Sequence, residues 1–219
     1  ILSQFNFKVD IVVIGETKLK TTFPHSIYNM NGYNRLTCCK NAANSGGGLM
    51  IFVKKEIKVT NVESHTSSFQ RITLEIQSGQ KKYVLISYYR PPEHKNFSDF
   101  LGDLENEIRH KNGRIIVVGD INIDKNGKTN ETKEYKNILH SYDMEIVNNC
   151  STRNASKKII DHMVCNFVND LTISNYTIHN SLSDHNMIIS SLNGTNVRTQ
   201  MVLKQLKSVN YAKAKTDLT

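Results

Sequence analysis

The chain has 219 residues, 38% of them hydrophobic and 22% charged, enough to bury a sizeable core and unlike a disordered segment. Its 28 Lys and Arg against 20 Asp and Glu give a net charge of +8, which favours polyanions as partners, nucleic acid or an anionic membrane surface. No apolar run reaches the roughly 18 residues of a membrane span; of the two, nucleic acid is the expected partner and a membrane is not.

The sequence opens at Ile1 without an initiator Met or a signal-peptide layout, and reads as a fragment whose first element is missing. Ile1, Leu2, Phe5 and Phe7 are expected to be the remnant of a helix. Val9 to Ile14 is a β-branched run of the kind found in a buried strand, and it stops at Gly15-Glu16-Thr17. Gly46-Gly47-Gly48 is a loop leading into a second buried strand, Leu49 to Val53. Ile72 to Ile76 and Tyr83 to Tyr89 flank Ser78-Gly79-Gln80 as the arms of a hairpin, and Pro91-Pro92 ends the second arm. A helix follows, with Phe97, Phe100, Leu101, Leu104 and Ile108 on one face, closed by Gly113.

Ile115 to Val118 is another buried strand, ending at Gly119-Asp120-Ile121-Asn122. Tyr135, Ile138, Leu139 and Tyr142 mark a second helix; short strands are expected at Ile159-Ile160, Leu171 to Ile178 and Met187 to Ile189. Paired strands mixed with helices indicate an α/β layered domain over residues 1–193. Residues 194–219, with Arg198, Lys204, Lys207, Lys213 and Lys215, read as a basic tail or linker. Cys38, Cys39, Cys150 and Cys165 show no C-x-x-C spacing, which argues against zinc and against a disulfide framework. A reducing nuclear or cytoplasmic setting is expected.

Glu16, Asp120 and Asp184 each end or flank a buried strand, where a rigid element projects a carboxylate to the sheet edge. Any one alone is more often a capping loop carboxylate. Several converging would form a hard-oxygen cluster suited to Mg2+ or Mn2+. Strand alternation is expected to point Asp120 and Asn122 the same way. Asp161-His162 and Ser183-Asp184-His185 add Asp-His neighbours, and a His beside a carboxylate can serve as a general base. His162 is read as a surface histidine with an incidental neighbour. Tyr88-Tyr89-Arg90-Pro91-Pro92 suits phosphate contact, although alone it reads better as an aromatic strand end with a snorkelling Arg. There is no G-x-S-x-G elbow, and the triple glycine lacks the Lys-Ser/Thr of a P-loop.

Taken in order, the E-T at a strand end, Y-R-P-P, G-D-I-N-I-D, I-I-D-H and S-D-H resemble the endonuclease/exonuclease/phosphatase superfamily. Within it, they are most similar to the apurinic-type endonuclease domain of non-LTR retrotransposons, over roughly residues 1–192. The resemblance implies a four-layer α/β sandwich, two mixed sheets face to face with helices outside. It also implies roles. Glu16 matches the metal-ligand Glu, with Asp120 and Asp184 in the metal region; Asp120 and Asn122 match the pair at the phosphate. Tyr89 matches the active-site Tyr, with Tyr88 on the other face. Asp161 matches the support of the catalytic His185. Thr152 and Arg153 match a Thr-Arg pair near the DNA backbone, and Arg90, by its chemistry, is expected to join them in binding phosphate.

Three departures stand out. The family's first strand, bearing an active-site Asn, has no counterpart; Ile121 replaces the usual Phe; and Lys158 stands where a small hydroxyl residue is common. The implied reaction is Mg2+-dependent nicking of double-stranded DNA to leave a 3′-hydroxyl. That end would prime a reverse transcriptase domain fused downstream. A phosphatase of small phosphoesters and a catalytically dead DNA-binding remnant are the alternatives.

Overall fold

The apolar runs of the sequence pair into one large sheet and two smaller ones. A computed structural model describes residues 9–19, 28–38, 47–92, 97–153, 155–169, 172–179 and 183–193. The expected N-terminal helix remnant, Gly46, Cys39, Leu171 and the basic tail lie outside these residues. In chain order the elements are β1 (Ile11–Gly15), β2 (Tyr33–Cys38), β3 (Leu49–Lys54), β4 (Lys58–Thr66), β5 (Gln70–Ser78) and β6 (Lys81–Tyr89). Then come α1 (Phe97–His110), β7 (Arg114–Asp120), α2 (Asn130–Ser141), β8 (Glu145–Ile146), β9 (Asp161–Cys165), β10 (Thr172–Ile178) and β11 (Met187–Asn193).

The six-stranded sheet runs β4-β5-β6-β7-β9-β8 and is mixed: β6 and β7, joined through α1, are parallel, and its other ladders are antiparallel. The three-stranded sheet β1-β3-β2 and the β10-β11 pair are antiparallel. Alternation sorts the large sheet into two faces. Val84, Ile86 and Tyr88 of β6 pack with Phe100, Leu104 and Leu139 of the two helices. Leu85 and Tyr89 turn the other way, onto Leu49 and Ile51 of β3, with Ile72, Leu74 and Met163 beside them. Each fully buried Leu, Ile or Val of this kind stabilises the fold by about 1.5–3 kcal/mol. Both described helices thus cover one face of the large sheet, and β1-β3-β2 covers the other.

Helix α1 carries the predicted stripe, with Phe100, Leu101, Leu104 and Ile108 buried. Helix α2 starts where the Thr129 hydroxyl accepts the Thr132 N–H at 3.2 Å. Three strands were not expected: β2, β4 and β8. β4 is an edge strand, mostly exposed, so it lacks the apolar alternation that marks a strand in sequence. The strand expected at Ile159-Ile160 begins instead at Asp161, although both isoleucines are buried. Neither described helix is long and apolar enough to cross a membrane.

Candidate active site

Sheet register brings the site together. Tyr89 on β6 is the Cα partner of Asp120 on β7, and Asp120 is the partner of Asp161 on β9. All three lie on the face turned toward β1-β3-β2, at the C-terminal ends of β6 and β7. The Cβ that any other residue would place at Gly15 lies 3.7 Å from the Tyr89 ring, so β1 delivers Glu16 to the same edge. The Tyr89 hydroxyl donates to Glu16 Oε1 across a long 3.4 Å. Gly119 supplies the close approach beside this row. Its φ is +135°, and a Cβ there would fall 1.9 Å from the Tyr88 carbonyl oxygen.

β7 stops at Asp120, so the Asp120-Asn122 pair is not made by strand alternation as expected. Asn122 has φ +52°, and this left-handed turn folds its amide back. Its Nδ2 donates to Asp120 Oδ2 at 3.1 Å and to the Arg90 carbonyl at 2.8 Å, while its backbone N–H donates to Asp120 Oδ1. Asn122 therefore orients Asp120. The two residues converge, by a turn.

Asp161 Oδ2 and His185 Nδ1 are 2.8 Å apart. Asp161 first of all, through that bond and its charge, raises the His185 pKa above its ordinary value, although burial opposes it. Asp120 is pushed up as well, first by burial and then by the Asp161 carboxylate, with Glu16 adding to it. Burial, then Glu16 and Asp120, push the Tyr89 phenol up as well. One ligand atom each from Asp120, Asp161 and His185 lies within 4.8 Å of the others. Carboxylates so crowded that one is driven toward protonation lack positive charge. The oxygen donors, Asp120 with Glu16 close enough to act on it, suit a divalent cation such as Mg2+ or Mn2+, while the Asp161-bound imidazole stands beside them.

Several assigned residues sit elsewhere. The Asp184 carboxylate points to Arg153 at 3.1 Å, both exposed, rather than into the acidic cluster. Arg90 is buried: its Nη1 donates to the Ile121 carbonyl, its Nη2 reaches Glu131 at 3.5 Å, and it lies over the Phe97 and Phe100 rings. It cannot meet a DNA phosphate from there. Thr152 is fully buried, and its hydroxyl accepts the Ile160 and Asp161 N–H groups at 3.0 Å. It fixes the Asp161 backbone rather than a phosphate. Arg153, half exposed and bridged to His185 through the backbone, stays at the rim.

His162 is buried, contrary to the surface reading. It stacks on Tyr135 behind the sheet, and burial lowers its pKa to about 4. Ser183 accepts the His185 N–H and shapes that turn. Two residues were not singled out. Asn148 donates to the Asp161 carbonyl, and Gln70 extends the register row on β5 as the partner of Tyr89. A polar Gln at the parity of Ile72, Leu74 and Ile76 was the signal available for it.

The family model described as endonuclease-reverse transcriptase matches residues 83–189. No curated protein matches the sequence significantly. Among solved structures, the endonuclease domain of TRAS1, a telomere-specific non-LTR retrotransposon, is 15% identical with a TM-score of 0.63, over 87% of each chain. An endonuclease/exonuclease/phosphatase family protein from Leptotrichia buccalis is 16% identical with a TM-score of 0.61, covering 84% of this chain and 87% of that one. The AP endonuclease LMAP from Leishmania major is 10% identical with a TM-score of 0.63, covering 82% and 77% respectively. At these identities the likeness is one of fold.

Proposed function

This chain has the fold of the endonuclease/exonuclease/phosphatase superfamily and matches the endonuclease-reverse transcriptase family over residues 83–189; from that premise we propose that it is a divalent-metal-dependent DNA endonuclease. Its nick would leave a 3′-hydroxyl for target-primed reverse transcription by a domain fused downstream. The observation that carries the reading is the row Tyr89-Asp120-Asp161, capped by His185 at 2.8 Å from Asp161. The family description and the likeness to a retrotransposon endonuclease domain support DNA as substrate. So does the net charge of +8.

Glu16 and Asp120 would hold the metal ion, which supplies Lewis-acid stabilisation of the phosphoryl oxygens and leaving group. The protein's own residues do the rest. Asp161 engages His185 Nδ1 and favours the charged ring, leaving Nε2 to donate to a phosphoryl oxygen as negative charge develops. Asn122 holds the Asp120 carboxylate in place, and the Tyr89 hydroxyl, beside Glu16, positions the phosphate. Arg153 at the rim contacts the DNA backbone.

The test is incubation of supercoiled plasmid with the protein and Mg2+, followed by extension of the product with a template-dependent polymerase. Nicked circles that extend directly are expected. Nicks that need prior 3′ phosphate removal would overturn the priming role. Hydrolysis of small phosphoesters without nicking would favour the small-molecule reading.

A further inference from the structure

Gln70 is the first residue of β5 and is fully buried, on a sheet face otherwise lined by Ile72, Leu74 and Ile76. A buried amide on an apolar face needs partners to offset its desolvation. Its Oε1 accepts the Gly48 N–H at 3.2 Å, and its Nε2 has no partner among the described residues. The Gly47-Gly48 backbone then reaches across to the segment after β1: Thr17 N–H donates to the Gly48 carbonyl at 3.2 Å, and Lys18 N–H to the Gly47 carbonyl at 2.8 Å. The contact allows only glycine. Gly47 and Gly48 have φ of +88° and +101°; a Cβ on Gly47 would lie 2.7 Å from Gln70 Oε1, and one on Gly48 would lie 2.3 Å from Thr17 Oγ1.

The segment held by this bridge is costly to hold. Glu16 and Lys18 are non-glycine residues with φ of +53° and +52°, so each stands in the sparsely populated left-handed region. Such a conformation persists only where its surroundings fix it. Among the described residues, the backbone ties of Thr17 and Lys18 run to the two glycines, and Gly48 is anchored by Gln70. Gln70 also pairs in register with Tyr89, whose hydroxyl meets Glu16. The large sheet therefore reaches Glu16 by two routes, one of them through Gln70.

We infer that Gln70 is a positioning residue: through Gly48 and Gly47 it sets the Glu16 turn against the Tyr89-Asp120-Asp161 row, so that the Glu16 carboxylate is preorganised for a divalent cation. The inference rests on the proposed metal site. Gln70 touches neither substrate nor metal. It acts through the glycine bridge.

The test compares the wild-type protein with Gln70→Met, which removes the acceptor at similar length, and Gln70→Glu, which keeps an acceptor for Gly48. Gln70→Asn, one methylene short, replaces Gln70→Met if that variant fails to fold. Amide hydrogen exchange and Mn2+ titration followed by electron paramagnetic resonance are the readouts. In Gln70→Met, the Thr17 and Lys18 amides should exchange roughly tenfold faster, while the Asp161 amide, held by Thr152, keeps its protection. Mn2+ affinity should fall roughly tenfold, in the range expected when a partner of a ligand is lost, and Gln70→Glu should restore both. Unchanged exchange at Thr17 and Lys18 would overturn the inference. Faster exchange with unchanged Mn2+ affinity would make Gln70 a prop of the loop and overturn it too. A wild-type protein that binds no Mn2+ would instead sink the metal site itself, and exchange alone would then judge the Gln70 tie.

Discussion

The Asp161 carboxylate and the His185 imidazole meet at 2.8 Å although 24 residues separate them. Thr152 and Arg153 form the join. The Thr152 hydroxyl accepts the Asp161 N–H, its carbonyl accepts the Asn186 N–H at 2.7 Å, and Arg153 bridges His185 through the backbone. The segment 151–153 thus pins the S-D-H turn against the end of β9.

Because the two side chains act as one unit, their substitutions should not multiply. His185→Ala should abolish most of the turnover, Asp161→Asn should lower it less, and the double variant should be hardly worse than His185→Ala. Single-turnover plasmid nicking is the measurement. Independent, multiplying losses would mean that the pair does not work through one imidazole. In the metal-free protein, Asp161→Asn should also return the His185 titration, followed by NMR, toward the ordinary histidine range, since Asp161 is the main cause of its rise.

The two adjacent tyrosines should separate cleanly. The Tyr88 hydroxyl donates to Asp103 Oδ2 at 2.7 Å on the helix side, so Tyr88→Phe should cost stability, about 1–2 kcal/mol, and leave turnover unchanged. Tyr89→Phe should slow turnover with little change in stability. Chemical denaturation beside nicking rates decides it. The opposite assignment would show that the register at the phosphate is wrong.

His162 predicts an acid sensitivity. Its Nε2 lies 3.0 Å from the Ile159 carbonyl and its Nδ1 lies 3.1 Å from the Tyr135 hydroxyl, an arrangement that suits the neutral ring. The folded pKa of about 4 lies below the unfolded value of 6.5, so the unfolded chain takes up the proton first as pH falls. This contribution is fully present above pH 6.5 and is lost on acidification toward pH 4. It amounts at most to about 3 kcal/mol. Denaturant unfolding of the wild-type protein and of His162→Gln at several pH values should show a flatter profile for the variant. Equal slopes would refute the buried neutral ring.

Arg90 and Arg153 should respond differently to salt. Arg90→Ala removes a buried guanidinium that lies over the Phe97 and Phe100 rings and should destabilise the fold by about 3 kcal/mol. It should leave the salt dependence of DNA binding alone. Arg153→Ala should reduce that log-log salt slope by about one and barely affect stability. Fluorescence anisotropy across a salt series reads both, and a slope change confined to Arg90→Ala would reverse the assignment.

Nicking should vanish in excess chelator and return with Mg2+ or Mn2+. Glu16→Ala should raise the Mg2+ concentration needed for half-maximal activity by at least tenfold, with partial rescue at high Mg2+. Cleavage that persists in chelator would exclude the metal site.

Sequence alone determined the parts whose signal is local. The buried runs at 49–53 and 115–118, the stripe of α1 and the opposite facing of Tyr88 and Tyr89 are local signals that need no partner to be read. The run at 11–14, expected to be buried, instead forms a strand that is only half-buried and leaves Ile14 exposed, because β1 is an edge of its sheet. Motif order carried the grouping of Glu16, Tyr89, Asp120, Asp161 and His185. Tertiary structure decided what depends on distant neighbours. An Arg beside a Tyr can read as a phosphate ligand as well as a snorkelling strand end, until Phe97, Phe100 and Ile121 enclose it. A Thr before an Arg reads the same way until its hydroxyl is occupied by the Ile160 and Asp161 amides. Asp184 adjoins His185 in sequence, yet neighbours in a turn diverge, and its carboxylate turns to Arg153. Gln70 stood out by nothing but its parity. Only the pairing of β5 with β6 and the packing of the glycine segment before β3 place it beside Tyr89 and against Gly48, because register and burial are properties of the assembled sheet, not of any one segment.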